Sequence, residues 1–309
     1  MSKKIYWVLF LPLLVFPFLL FTTSSTVSQN ETQTNVLPQN IIRPPLPTSI
    51  DFAGEEVPLH FFDVRESLQR EMTIISYWHS SLVYTLQLAN RFFPIIEPIL
   101  KEEGVPDDFK YLCVAESNLQ QVVSPAKAAG FWQFLEGTGK EYGLEVTSEI
   151  DERYHIEKAT RAACAYLKKS REKYGDWTMA AASYNVGHNN LDRQITRQKE
   201  TTYYNLLLPE ETNRYVYRAV VFKMILSNPT YYGFNVKSEE LFAPLQWDEK
   251  TITGAVESWA DFAKEHDTNY KLFKYFNPWL RDASLKNAAK KTYVVKIPKK
   301  GFREDLTNE

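Results

Sequence analysis

The chain has 309 residues, room for one large or two modest domains, and its 44% hydrophobic and 14% aromatic content is ample for a core. Its formal charge is −2 and its isoelectric point about 6.3, with no basic domain or stripe, so nucleic acid is excluded as a partner. Abundant Tyr and Trp alone mark neither a core nor a sugar site.

The first 27 residues read as an address. Lys3 and Lys4 precede an apolar run from Ile5 to Phe21, and polar residues follow at once. This is a secretory signal peptide or a membrane anchor. The run is long for a signal core, slightly short of the roughly 20 residues that cross a bilayer, and broken by Pro12 and Pro17. Either reading implies export to the periplasm or cell envelope, with membrane association through the N-terminus if the segment is retained. Residues 28–50 are polar and then proline-rich, a flexible linker.

Residues 51–102 form a helical N-terminal extension. Leu68, Met72, Ile75 and Leu82 predict a helix over 64–90, and Pro94 and Pro98 predict a bent connection or a short helix over 91–100. A central domain spans 103–235. Pro106, Asp107 and Asp108 read as a helix start, since proline and carboxylates suit a first turn. Phe109, Leu112, Cys113 and Glu116 then share one helix face. A carboxylate that closes an apolar stripe loses hydration, holds its proton toward neutral pH and can act as a general acid. The same position also suits an acid that ends its helix in solvent; the helix alone does not decide.

Further along, Ser124-Pro125 predicts a turn, and residues 156–174 repeat apolar and alanine positions at helical spacing. Asp176 suits an N-cap for a helix over 177–184, ended by Asn185-Val186-Gly187, and Pro209 opens another over 210–226. No alternating strand stands out, so the fold class is mainly α. Residues 236–250 read as a linker and 251–298 as a small strand-helix-helix-strand module of α+β type, with a loose charged tail over 299–309.

Several chemistries drop out. The five histidines are scattered without metal-ligand spacing, so no metal is expected. Gly137-Thr138-Gly139-Lys140 lacks the first glycine of a phosphate loop and has Glu141 where Ser or Thr is needed, so no nucleotide cofactor is expected. Cys113 has no local activating group for a nucleophilic role. Cys113 and Cys164 are compatible with a disulfide after export or with buried thiols, and the sequence leaves both open.

Four segments remain: Ala115-Glu116-Ser117-Asn118; Ser124-Pro125-Ala126 with Gly130-Phe131-Trp132-Gln133-Phe134; Ala182-Ser183-Tyr184-Asn185-Val186-Gly187; and Leu208 to Tyr215. In this order they resemble the lytic transglycosylases with a lysozyme-like SLT domain (glycoside hydrolase family 23), in particular the membrane-bound type D branch. Asp151-Glu152-Arg153, Gly175-Asp176-Trp177 and Tyr232-Gly233-Phe234 fit the same pattern.

The resemblance implies a lysozyme-like, all-helical domain that cleaves the β-1,4 bond between N-acetylmuramic acid and N-acetylglucosamine in peptidoglycan without water, leaving 1,6-anhydromuramic ends. It assigns Glu116 as sole acid/base and Ser117, Ser124, Gln133, Tyr184, Asn185 and Glu211 to substrate binding, with the Tyr184 hydroxyl near the acid. Asp107 and Asp108 lie more than about 10 Å back along the helix, too far to be a second carboxylate. Each assignment has a plainer alternative: Ser117 as a helix end, Asn185 as a turn residue, Glu211 as a first-turn acid, and Phe131 and Trp132 as core. The run from Glu116 to Ser124 is one residue shorter than usual in the family, and Lys127 replaces a common glycine. The C-terminal module resembles a divergent LysM domain, either glycan-binding or a structural remnant. The alternatives to a lyase are a hydrolase similar to goose-type lysozyme and a non-catalytic peptidoglycan-binding protein. The oligomeric state is not legible.

Overall fold

The computed structural model describes residues 44–303. The signal or anchor segment, most of the linker after it and the end of the charged tail lie outside the described residues. Within them the architecture is mainly α, with ten α-helices and two small antiparallel sheets. A short hairpin, β1 (Asp51–Phe52) and β2 (Glu55–Glu56), precedes α1 (Phe62–Ser76) and α2 (His79–Glu102). Then follow α3 (Phe109–Ser117), α4 (Glu136–Glu141), α5 (Ile156–Tyr174), α6 (Trp177–Val186), α7 (His188–Gln198) and α8 (Glu210–Ser227).

The short helix α3 lies at the centre. Phe109, Tyr111, Leu112, Cys113 and Val114 are all buried, so apolar side chains surround the helix, as in a core helix. It packs against α2 and α8; α8 packs in turn against α1 and α6, and α5 against α2 and α6. One hydrophobic core runs through all of them and takes in Phe52, Leu68 and Met72 of the N-terminal extension. Each fully buried side chain of this size contributes about 1.5–3 kcal/mol by leaving water.

Three local readings change. The helix expected over 64–90 divides at Tyr77, and α2 continues as one helix through Pro94 and Pro98. The two prolines are four residues apart and both exposed, so the carbonyls they leave without donors lie on the solvent side of the helix. Asp108 stands at the N-cap of α3, but its side chain makes no capping bond there. Its carboxylate accepts from the Ala53 amide at 2.7 Å and from Lys223 at 2.8 Å, which ties the hairpin and α8 to the core helix. Neither cysteine forms a disulfide; both are buried thiols.

The C-terminal module is β3 (Trp247–Ile252), α9 (Trp259–Glu265), α10 (Tyr270–Phe276) and β4 (Tyr293–Pro298). β3 begins inside the stretch expected to be a linker and pairs antiparallel with β4 from Trp247↔Pro298 to Ile252↔Tyr293. Side-chain oxygens of Ser258 and Asn269 cap α9 and α10. The module core of Trp259, Phe273, Trp279 and Tyr293 also takes in Ala129, Ile150 and Tyr154 of the central domain. Backbone bonds from Asp151 N to Trp279 O (2.8 Å) and from Arg281 N to Glu149 O (2.7 Å) continue that contact. The module is therefore docked on the central domain.

Candidate active site

Glu116 lies on the last turn of α3, where the buried helix meets a groove of about 360 Å³. Asn118 and Leu119 follow with φ of 50° and 57°, so the chain leaves the helix sharply and the end of α3 is not covered by further turns. Glu116 is half-buried. Its Oε1 accepts a short hydrogen bond from the Tyr215 hydroxyl on α8. Burial raises its pKa to about 7, the Tyr215 bond pulls the other way, the Glu211 charge raises it further and the Arg218 charge lowers it. Glu211, Tyr215 and Arg218 recur at helical spacing, so one face of α8 sets the electrostatics of Glu116.

The groove wall opposite is the loop from Ser124 to Phe134. The Ser124 hydroxyl accepts from the Ala128 amide at 3.0 Å, and the two residues also share a backbone bond, so Ser124 caps its own turn while lining the groove. Gln133 has φ of 47°, and its amide NH₂ donates to the carbonyls of Val122 (3.0 Å) and Gly130 (2.7 Å). Among the described residues nothing donates to its side-chain oxygen. Gly130 has φ of +79°, and a Cβ there would lie 1.9 Å from the Arg153 carbonyl oxygen. Arg153 braces the loop from beneath: its guanidinium donates to the carbonyls of Lys127 and Phe134 and pairs with Asp151 at 2.7 Å. The text Asp151-Glu152-Arg153 thus has a structural reason.

α6 supplies the third wall. Asp176 caps it, accepting from the Met179 amide at 2.6 Å, and Glu55 of the hairpin accepts from the amides of Trp177 and Thr178. Its C-terminal end brings Tyr184, Asn185, Val186 and Gly187 to the groove. The Tyr184 hydroxyl donates to the Trp132 carbonyl at 2.8 Å, and its ring meets Trp132, Phe134 and Tyr166 edge-on. Asn185 accepts from the Thr212 hydroxyl at 2.7 Å, which fixes the start of α8 and so the place of Glu211.

The groove therefore gathers Glu116, Ser124, Gln133, Tyr184, Asn185 and Glu211, drawn from four separate stretches. It does not gather Ser117, which is buried and donates back to the Cys113 carbonyl at 3.3 Å. Phe131 and Trp132 are core residues, 2% and 0% exposed. The phenol bonded to the acid belongs to Tyr215, while Tyr184 lines the groove beside them with its hydroxyl on the Trp132 carbonyl. Tyr215 stands last in the fourth sequence segment, and its placement four residues after Glu211 was the available signal. A half-buried protonatable carboxylate facing a groove with amide and hydroxyl groups suits proton transfer to a bound polyol.

Residues 93–207 match the family described as "Transglycosylase SLT domain". The chain carries an SLT transglycosylase domain. Residues 248–301 match "Soluble lytic transglycosylase C-terminal LysM-like domain", so the α+β module is LysM-like. Two curated relatives are each 28% identical over 269 residues: membrane-bound lytic murein transglycosylase D of Escherichia coli strain K12 and that of strain O6:H1 CFT073. The alignment covers 83% of this chain and 58% of the relatives, so the chain spans somewhat more than half of their length. The SLT match ends before α8 and does not cover Glu211 and Tyr215.

Proposed function

We propose that the protein is an exported peptidoglycan lytic transglycosylase of the cell envelope, and that Glu116 is its only acid/base. The observation that carries this is the pairing of Glu116 with Tyr215 in a groove where burial holds the acid near pKa 7. Protonated Glu116 gives its proton to the glycosidic oxygen as the bond from that oxygen to C1 of the muramyl sugar breaks, and the N-acetylglucosamine side leaves as an alcohol. The resulting carboxylate takes the proton of the same muramyl sugar's 6-hydroxyl, and O6 closes on C1. The 1,6-anhydro bond replaces the glycosidic bond, and no water is consumed.

Gln133 would accept from an acetamido N–H through its free oxygen, and Ser124 would meet the muramyl sugar. Tyr184 and Asn185 shape the groove, and Glu211 faces the peptide side of the strand. Ser117 then serves only the helix end. Export rests on the N-terminal apolar run, and the relatives are named membrane-bound.

A hydrolytic reading has one observation in its favour: Glu211 is a second carboxylate on the same groove and could direct a water, as paired acids do in inverting glycosidases. Glu211 is exposed, and its charge already has a role in raising the pKa of Glu116. Exchanging Glu116 for Gln tests the proposal. Loss of peptidoglycan solubilisation by 10²-fold or more in a folded variant is expected, within the range of about 10²–10⁴ for a general acid; an unchanged rate would sink it.

A further inference from the structure

Glu71 is a buried acid that the proton transfers above do not use. It lies on α1, in the N-terminal extension and outside the residues matched by the SLT family, and it is 1% exposed. Both its carboxylate oxygens accept from Arg214 of α8, at 2.6 Å and 3.2 Å. Arg214 also stands 3.7 Å from exposed Glu210, which pairs with Arg70 at 3.0 Å. A second cation faces Glu71: the Arg218 Nε is 3.6 Å from Oε2. That gap is too long for a hydrogen bond, and the buried Nε has no hydrogen-bond partner among the described residues. Arg214 is therefore bonded to Glu71, whereas the Arg218 Nε is drawn to it by charge.

At about 3.6 residues per turn, Arg218 leaves α8 between the directions of Arg214 and Tyr215. Arg214 reaches Glu71 and Tyr215 reaches Glu116, so Arg218 stands between two acids. The groups that act on Glu116 or feel its charge are Tyr215, Glu211 and Arg218 of α8, Tyr184 of α6 and Cys113 of its own helix. Among the described residues Arg218 is the only cation of that set. An arginine closed onto Glu116 would hold it as a carboxylate, and a carboxylate has no proton for the glycosidic oxygen. Glu71 competes with Glu116 for that arginine.

We propose that Glu71 is a positioning residue that holds Arg218 back from Glu116 and so leaves the acid free to carry its proton. The inference rests on the role proposed for Glu116. It gives the N-terminal extension a part in the reaction beyond the core residues it supplies, although Glu71 itself does not line the groove.

The test is the pH–rate profile of peptidoglycan solubilisation for the parent, Glu71→Gln, Arg218→Gln and the two exchanges combined. The parent rate should fall above about pH 7. Glu71→Gln releases Arg218 toward Glu116 and should move that fall to lower pH by about one unit, which is about tenfold in rate on the falling side. Arg218→Gln should move it to higher pH. With both exchanged, the fall should stay where Arg218→Gln alone puts it, because Glu71 acts through Arg218. A residue that merely supports the fold would lower the melting temperature and the rate at every pH without moving the fall. Removing one partner of a buried ion pair is destabilising. Should Glu71→Gln fail to fold, Glu71→Gln with Arg214→Gln removes one charge of each sign, still releases Arg218, and should give the same shift. A fall that stays in place in the folded variant overturns the proposal, and so does one that Glu71→Gln moves equally with and without Arg218. A parent profile with no fall near pH 7 would overturn the reading of Glu116 as well, so the parent alone tells the two failures apart.

Discussion

In the proposed mechanism Glu116 is an acid when the sugar arrives and a base a moment later, and its neighbours favour one state each. Burial and the Glu211 charge favour the protonated form, while the Tyr215 hydroxyl favours the carboxylate. Because the acid step needs the proton, the rate should hold below about pH 7 and fall roughly tenfold per unit above it. Glu211→Gln should move that fall to lower pH, since it removes a charge that raises the pKa. Tyr215→Phe should move it to higher pH and cut the maximal rate about 10- to 100-fold, the worth of a hydrogen bond to a charged group. A pH–rate profile of each variant checks both. The raised pKa is also a stability statement. Ionising Glu116 is harder in the folded chain than in the unfolded one, so the fold loses stability as pH climbs from 4.5 to about 7. Glu116→Gln should therefore melt higher than the parent above pH 7, by on the order of 1–3 kcal/mol, and show no such gain well below pH 4.5.

Among the elements, the loop from Ser124 to Phe134 depends most on a single residue. Gly130 packs where a Cβ would meet the Arg153 carbonyl at 1.9 Å, in a backbone region that favours glycine. Gly130→Ala should cost about 3 kcal/mol or more in a denaturant titration, and lower activity with it, because Gln133 hangs from the same turn. Much at this scale was legible in the sequence. Asp176 announced the start of α6, and alanine and apolar spacing announced α5. What escaped has physical causes. Local rules make proline a helix breaker, yet α2 keeps both prolines on its solvent face. Asp108 reads as a helix-start carboxylate, yet tertiary partners on the hairpin and α8 claim it. Tyr184 lines the groove with Glu116 as expected, but that Tyr215 is the tyrosine bonded to the acid is decided by packing and not by local sequence. Ser117 follows the acid directly, and the helical turn sends it to the opposite side, into the core.

At the scale of the molecule, the hairpin, the central helices and the C-terminal module work as one body among the described residues. The extension supplies core residues, Glu55 caps α6, and the module shares its core with Ala129, Ile150 and Tyr154. A chain cut before β3 would expose those three residues beneath the loop that carries Gln133. It should unfold at lower temperature than the whole protein, which should melt in one transition by calorimetry. No described helix is long and apolar enough to cross a membrane. The order of motifs along the chain was readable; the docking of the module was not, because its contacts, a shared core and backbone bonds, join segments far apart in the sequence. The most direct measurement of the central claim is mass spectrometry of the sugar ends released from purified peptidoglycan. A single acid/base that closes O6 on C1 predicts muramyl ends one water lighter than hydrolysed ones; ends that have gained a water would contradict it.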